Sequence, residues 1–202
     1  MRNGIETVLG SSRAGEAHIR SLYRRLAASR IPVNLYSARA HWQRTAAALL
    51  HGMRQVSGSW EELDGRQFAD DVRGDRTALF LAGATGGVAH TSTGKGLLAA
   101  AGTGTLFLTH IEKLSPAAQR VLSSILETGR YTPVGDPYPR SISCHMIVAT
   151  HQPLRMLAHN LAVEWHLADA LGRIAIHAEK VIRAFQAEGI YDTHPSTLAA
   201  AS

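Results

Sequence analysis

A short apolar segment at residues 105–108 constrains the fold more than any other part of the sequence. An apolar run of this length is typical of a strand that is buried on both faces of a parallel sheet. Helical segments separate it from three further strand-like segments, at residues 31–36, 142–149 and 173–177. Strands that alternate with helices predict an α/β domain whose parallel sheet is covered on both faces.

The helices are indicated by apolar spacing and by end signals. Ser115 and Pro116 begin one helix as N-cap and first-turn residue, and Gly129 ends it. Further helices are predicted at residues 14–29, 45–51 and 179–188, with two short ones within 154–171. Residues 52–76 are weakly patterned and leave room for a poor second strand. Residues 82–104 read as a loop, and residues 130–141 read as a turn region or hairpin.

The composition is that of one globular domain. The chain has 202 residues, of which 45% are hydrophobic and 18% are charged, enough for a single core. It has no apolar run that could span a membrane, no signal-peptide core after Met1, and a single cysteine, Cys144. These features predict a cytoplasmic protein. The formal charge of +5 permits nucleic-acid contact, but the arginines are spread along the chain and favour an ordinary basic surface.

Four consecutive segments carry a specific resemblance to a known family. They read GTLFLTHI at residues 104–111, LSPAAQRVL at 114–122, LETGRYTPVG at 126–135 and IVATHQPL at 147–154. Their order and spacing resemble, without gaps, the central AAA+ domain of sigma-54-dependent transcription activators, also called bacterial enhancer-binding proteins. Weaker similarity extends this match over most of the chain.

The resemblance implies an α/β fold with a three-layer, P-loop NTPase-like (AAA+) core around a central, mostly parallel five-stranded sheet. We expect this core at residues 1–177. Residues 178–202 are expected to form a C-terminal helix and a frayed tail, the remnant of a truncated lid subdomain. No helix-turn-helix follows, so specific DNA binding by that route is not expected.

The segment that resembles the family's phosphate loop, or Walker A motif, lacks the residues that this loop needs. A phosphate loop uses glycines, so that backbone N–H groups approach the phosphates, and a lysine for the β- and γ-phosphates. The matching residues here are Ser37, Ala38, Arg39, Ala40, His41, Trp42, Gln43 and Arg44. No glycine is present, Gln43 stands at the lysine position, and Trp42 is expected to fill the space of the tight turn.

The residues that resemble the hydrolytic Walker B site are replaced as well. Hydrolysis needs an aspartate for Mg²⁺ and a glutamate that polarises water, and Thr109 and His110 stand at these positions. The arginine that reaches a neighbouring subunit's phosphate corresponds to Leu167, whereas Arg173 is kept. The sequence therefore predicts a pseudo-ATPase with no catalytic residues and no cofactor, although the family uses ATP and Mg²⁺.

Two weaker site hypotheses concern other residues. His110 and His151 follow neighbouring strands, so with a third donor they are weak candidates for a transition-metal site, although no metal is expected. His151 also reads as a locally bonded histidine at a strand end. Lys95 lies in a segment that resembles the end of a phosphate loop, but this segment does not follow the first strand as a phosphate loop does. We therefore interpret Lys95 as a solvent-exposed lysine. By spacing, the family's sigma-54-contacting loop falls at residues 85–90, where its phenylalanine is missing.

These observations favour a regulatory interaction protein. The expected partner is an active sigma-54 activator or sigma-54 RNA polymerase, in a homo- or hetero-oligomer. One alternative is a sensor of cyclic dinucleotides or other nucleotides that uses Arg13, Arg39 and Arg44. A second is residual ATPase activity with His110 as the base, and a third is a decaying paralogue without a biochemical role.

Overall fold

A computed structural model describes residues 13–54, 57–85 and 95–186, with side chains from residue 18 onward. Seven strands occur in this part of the chain: β1 (Val33–Tyr36), β2 (Trp60–Asp64), β3 (Thr105–Thr109), β4 (Arg130–Tyr131), β5 (Arg140–Ser141), β6 (His145–Thr150) and β7 (Ile174–His177). Five of them form one sheet in the order β2-β3-β6-β1-β7. Every pairing in this sheet is parallel, and β4 and β5 form a separate antiparallel hairpin.

Helices cover both faces of the sheet. They are α1 (Arg13–Ala28), α2 (Ala40–Gly52), α3 (Asp75–Ala82), α4 (Leu97–Ala101), α5 (Pro116–Thr128), α6 (Leu154–His159), α7 (Trp165–Leu171) and α8 (Ala178–Gln186). Side chains alternate along β3, so Leu106 and Leu108 join a cluster with α3–α7, whereas Phe107 joins a cluster with α1, α2 and α8. The predicted three-layer α/β architecture is confirmed.

The end signals of α5 act as the sequence predicts. Ser115 Oγ accepts a hydrogen bond from the Ala118 N–H at 3.0 Å, and Pro116 occupies the first turn. Gly129 ends the helix in the left-handed conformation with φ of 63°, which costs glycine nothing.

Several predicted bounds, such as the start of β1 at Val33 rather than Ile31, differ from the structure by one or two residues, and four differences are larger. Edge strand β2 lies in the weakly patterned region, because its side chains are only partly buried and give no apolar run. Helix α4 replaces part of the predicted loop, since Leu97, Leu98 and Ala101 pack into the core. Helix α2 starts at Ala40 rather than residue 45. Strand β6 starts at His145 rather than Ile142, because the Ile142 N–H donates to the Gly129 carbonyl beside the hairpin.

Helix α8 packs on the same layer as α1 and α2. Val181 and Phe185 are buried in that cluster, and the Phe185 ring lies 6.5 Å from the ring of Tyr23. Residues 178–186 therefore contribute to the core of the described domain. The proposed boundary at residue 177 and the interpretation as a lid remnant stay predictions.

Candidate functional site at the carboxyl ends of the strands

A cavity of about 540 Å³ opens where β1, β3 and β6 end and α2 begins. Ligands of open α/β sheets bind at this edge. The cavity is lined by Ser37, Ala38, Ala40, His41, Gln43, Arg44, Glu62, Asp64, Arg66, Phe107, Thr109, His110, Glu112, Ala149, Thr150 and His151. The structure thus brings together most of the residues that the sequence singles out, with Arg39, Trp42, Leu167 and Arg173 outside the lining.

The connection from β1 to α2 consists of Ser37, Ala38 and Arg39 alone. Helix α2 begins at Ala40, and the N–H groups of Trp42 and Gln43 both point to the Arg39 carbonyl. Residues 40–44, which resemble the second half of a phosphate loop, are therefore helical. A helical turn has its backbone N–H groups aligned along the helix axis, whereas a phosphate loop wraps them around the anion.

Gln43 is held by protein groups at both of its amide hydrogens. Its Nε2 atom donates to the Ser37 carbonyl at 2.7 Å and to the Thr150 carbonyl at 2.6 Å. A glutamine amide has two N–H donors, so both are used within the protein. The side chain is 9% exposed. Gln43, at the predicted position of a phosphate-loop lysine, forms a neutral tie between the β1–α2 connection and the end of β6.

The two arginines of this segment also have protein partners. Arg44 Nη1 donates to Glu62 Oε2 at 2.8 Å, and the Arg39 guanidinium lies 4.8 Å from the centre of the Trp42 ring. Trp42 packs against the cluster formed by α1, α2 and α8. Contrary to the prediction, its ring leaves the cavity open.

Thr109 is the last residue of β3 and His110 follows it. Both side chains line the cavity, and His110 pairs with an acid from β2. His110 adopts the left-handed conformation (φ 50°, ψ 39°), uncommon for a residue with a side chain. Its Nδ1 atom lies 3.1 Å from Asp64 Oδ1.

Asp64 is held ionised by its neighbours. The side-chain hydrogen bond from Arg66, aided by the Arg66 backbone N–H and the charges of His110 and Arg66, lowers the pKa of Asp64 against the opposing effect of burial. An ionised carboxylate only accepts hydrogen bonds, so Nδ1 of His110 is the donor in this pair.

His151 lines the same cavity as His110, as the sequence predicts. Throughout residues 13–54, 57–85 and 95–186, no three His, Cys, Asp or Glu side chains come together to hold a metal ion. Leu167 lies on the buried face of α7, and Arg173 is exposed just after that helix.

The sequence reasoning misses the acidic wall of the cavity. Glu62 and Asp64 come from edge strand β2, and Glu112 comes from the turn after β3. Asp64 and Gly65 lie in the weakly patterned region of the sequence, and in the structure β2 ends between them. A Cβ atom on Gly65 would lie 2.2 Å from the His110 carbonyl oxygen, so the glycine lets these two turns approach each other.

Some predicted residues lie outside the described part of the chain. They are the side chain of Arg13, residues 86–90 of the predicted sigma-54-contacting loop, and residues 91–94 beside Lys95. Lys95 itself is exposed and its backbone bridges to Gly83. Within the described residues, no helix is long and apolar enough to cross a membrane.

Known structures share this fold. The P-loop NTPase domain of a sigma-54 transport activator from E. coli superposes with a TM-score of 0.52 at 20% identity, covering 83% of this chain and 96% of that domain. NtrX from Brucella abortus in complex with ATP gives a TM-score of 0.60 at 17% identity over 84% of this chain. A point mutant of Thermotoga maritima RuvB gives 0.52 at 15% identity over 82% of this chain and 45% of its own.

The present chain spans 36% of the NtrX chain. No curated protein matches the sequence. A family model described as the sigma-54 interaction domain matches residues 77–177, half of the chain. That match covers α3 through β7 and begins after the phosphate-loop segment. The chain therefore belongs to the sigma-54 interaction domain family and has the AAA+ P-loop NTPase fold.

Proposed function

We propose that this protein is a non-catalytic member of its family that regulates transcription in the cytoplasm by docking on an active sigma-54 activator or on sigma-54 RNA polymerase. The observation that carries the proposal is the engagement of Gln43. Both amide hydrogens of Gln43 are bound to the Ser37 and Thr150 carbonyls, where an ATPase of this fold needs a free lysine.

The residues around the cavity do not fit Mg-ATP. Phosphate binding in this fold needs a glycine-rich loop before the helix and a free cation, but only Ser37, Ala38 and Arg39, none of them glycine, lie between β1 and helix α2. Arg44 is paired with Glu62, and the Glu62, Asp64 and Glu112 carboxylates on the cavity wall repel phosphates. Magnesium prefers carboxylate oxygens, but two of the carboxylates that line the cavity are paired with arginines, Glu62 with Arg44 and Asp64 with Arg66. Thr109 offers only a neutral hydroxyl at the position where the resemblance places an aspartate.

The half of the chain that matches the family model supports a docking role. The family model matches the segment that carries the core strands β3, β6 and β7, and all five sheet strands pair in parallel register. A well-packed scaffold with an altered nucleotide site suits a protein that acts through its surface. Mixed oligomers with an intact activator follow from this proposal.

One observation favours residual hydrolysis as a second candidate. Asp64 accepts the Nδ1 hydrogen of His110 and thereby leaves Nε2 available as a base, the arrangement that general-base histidines use. The ligand-sensor alternative has weaker support, because Arg39 stacks on Trp42 and Arg44 pairs with Glu62.

Two measurements on the purified protein test the proposal. Calorimetric titrations with Mg-ATP, Mg-ADP and a cyclic dinucleotide are expected to give no saturable heat. Light scattering of the protein mixed with its host's sigma-54 activators is expected to show a mixed oligomer. A saturable titration with Mg-ATP contradicts the lost nucleotide site, and monomers alone in every mixture contradict the docking role.

A further inference from the structure

The acidic residues are distributed unevenly along the chain. No Asp or Glu occurs between Glu16 and Glu61, whereas this stretch contains seven arginines: Arg20, Arg24, Arg25, Arg30, Arg39, Arg44 and Arg54. Because the whole chain has 21 basic and 16 acidic side chains, the remaining residues carry fewer basic than acidic side chains. The formal charge of +5 therefore arises in the part of the chain that forms α1, β1 and α2.

Three of these arginines are held by groups of the protein. Arg44 pairs with Glu62, and the Arg39 guanidinium stacks on the Trp42 ring. Arg54 donates to three backbone carbonyl groups, two at the end of α1 and one in the turn before β3. Carbonyl groups accept hydrogen bonds but carry no net charge, so Arg54 stays an uncompensated cation.

Three further arginines lie in the solvent at the end of α1. Arg24 and Arg25 belong to the last turns of this helix, Arg30 follows shortly after the helix ends, and all three side chains are exposed. The ion pairs found among the described residues include none of them. We call Arg24, Arg25 and Arg30 the α1 basic surface.

The charges at this end of α1 repel each other. Burial lowers the pKa of Arg54, and the charge of Arg30 lowers it further against the opposing effect of Cys144. Arg30 is therefore close enough to Arg54 for like charges to destabilise both. The carbonyl end of a helix attracts cations, but Arg54 already binds carbonyl groups there. A polyanion outside the chain would relieve the repulsion.

Helix α8, which packs beside α1, does not supply the missing negative charge within its described residues. Its acidic side chain, Glu179, accepts a hydrogen bond from Arg183 at 2.8 Å. Residues 18–54 have no acidic side chain at all. The α1 basic surface thus has no carboxylate that would have to be displaced or that would repel an incoming anion.

The other exposed side chains indicate which polyanion fits. Proteins that bind single-stranded nucleic acids stack the bases on aromatic rings, but the large apolar side chains exposed on the described part of α1, α2 and α8 and their connections are Leu22 and Ile31, both aliphatic. Each is only 46% exposed, which offers little apolar surface to a membrane. Arginines without aromatic rings suit the phosphates of a duplex.

We propose that Arg24, Arg25 and Arg30, supported by the charge of Arg54, bind the phosphate backbone of double-stranded DNA without reading its sequence. Phosphate contacts position a protein on a duplex and carry no sequence information. The choice of DNA as the polyanion rests on the proposed function in transcription. The surface itself is additional to that function, since docking on an activator does not require it.

The experiment measures binding of the whole chain to a short, labelled DNA duplex of mixed sequence by fluorescence anisotropy at several salt concentrations. The test variant is Arg24→Gln/Arg25→Gln. The matched control is Arg130→Gln/Arg155→Gln, which removes the same charge from exposed positions on β4 and α6, on the other layer of the fold. Arg24→Lys/Arg25→Lys keeps the charge, and the unfolding temperature of every variant is measured in parallel.

The wild type should bind the duplex, with an affinity that falls as salt rises. The test variant should bind at least about tenfold more weakly, and the slope of log affinity against log salt should decrease by about 0.9 for each arginine removed. The control and the lysine variant should keep the wild-type slope. Arg30→Gln, which lies outside α1, should lose one such contact and keeps the test decisive if the double variant unfolds.

The other outcomes overturn the inference. Equal affinity of the test variant and the wild type would remove the α1 basic surface, and equal weakening by the control would show that only total charge matters. No binding of the wild type at low salt would exclude DNA. Tighter binding to the single strand, to an RNA duplex or to phosphatidylglycerol vesicles would assign the arginines to that polyanion. Docking on an activator is measured separately by light scattering, so the proposed function stands or fails independently.

Discussion

The Nε2 atom of Gln43 lies 2.6 Å from the carbonyl oxygen of Thr150, so the first turn of α2 is tied to the end of β6. The same nitrogen also donates to the Ser37 carbonyl. One neutral side chain thus joins the carboxyl ends of β1 and β6 at the predicted position of a phosphate-loop lysine. The account of this protein as a non-catalytic relative depends chiefly on that arrangement.

Loss of the Gln43 amide should destabilise the fold. Gln43→Ala removes the side-chain donor from the Ser37 carbonyl and leaves the Thr150 carbonyl with the Ser37 N–H alone, and we expect a loss of about 1–3 kcal/mol in the free energy of unfolding. Denaturant unfolding measures this quantity. Arg44→Gln is the matched control, because it breaks an exposed ion pair one residue away and should change stability by less than about 1 kcal/mol. Equal stability of Gln43→Ala and the wild type would contradict the proposed tie.

A side chain at Gly104 should disrupt the start of β3. A Cβ atom there would lie 2.0 Å from the Ser59 carbonyl oxygen, and backbone atoms cannot yield to it. We expect Gly104→Ala to lower the free energy of unfolding by more than about 2 kcal/mol. Gly52→Ala is the control, because a Cβ atom at Gly52 meets nothing within 4 Å. Comparable stability of the two variants would show that the close approach of Gly104 and Ser59 is absent.

Buried His145 should make stability depend on pH. Burial, followed by the nearby charge of Arg54, lowers the pKa of His145 to about 4, whereas the unfolded chain has the ordinary value near 6.5. The unfolded state therefore binds more protons between these values. Stability is present above about pH 6.5 and is lost as the pH falls towards 4, by on the order of 3 kcal/mol.

The measurement is the free energy of unfolding as a function of pH. His145→Gln keeps a side-chain donor for the Ile31 carbonyl, which accepts from Nε2 in the wild type, and should remove this part of the pH dependence. His166→Gln, at an exposed position, should leave it unchanged. The same slope in His145→Gln as in the wild type would refute the assignment.

Asp71 should make the free energy of unfolding depend on pH in the acidic range, separately from His145. Burial raises its pKa, but the hydrogen bonds from Thr77 and from the Arg76 and Gly74 N–H groups outweigh it, so the pKa is lowered. The stability that Asp71 contributes is therefore present above the ordinary aspartate range and is lost as the pH falls through its folded value. The stability difference between the wild type and Asp71→Asn should shrink towards low pH. A constant difference would contradict this role.

Regular packing makes the centre of this fold predictable. Buried strand β3 and helix α5 are recognisable because an apolar run and a capping serine act locally. Edge strand β2 is only allowed for within residues 52–76, without bounds, because half-buried strands carry no such run, and Asp64 at its end is not recognised. The pairing of His110 with Asp64 joins residues 46 positions apart, and no local pattern records it. The early start of α2 and the position of Trp42 depend on tertiary packing in the same way.

Steady-state phosphate release from Mg-ATP by the wild-type protein tests the central claim most directly, with His110→Asn as a matched variant. The account predicts no rate above the blank for either protein. A rate in the wild type that is lost in His110→Asn, but kept in the exposed-surface control Val72→Ser, would contradict it. That result would establish the Asp64–His110 pair as a working hydrolytic site.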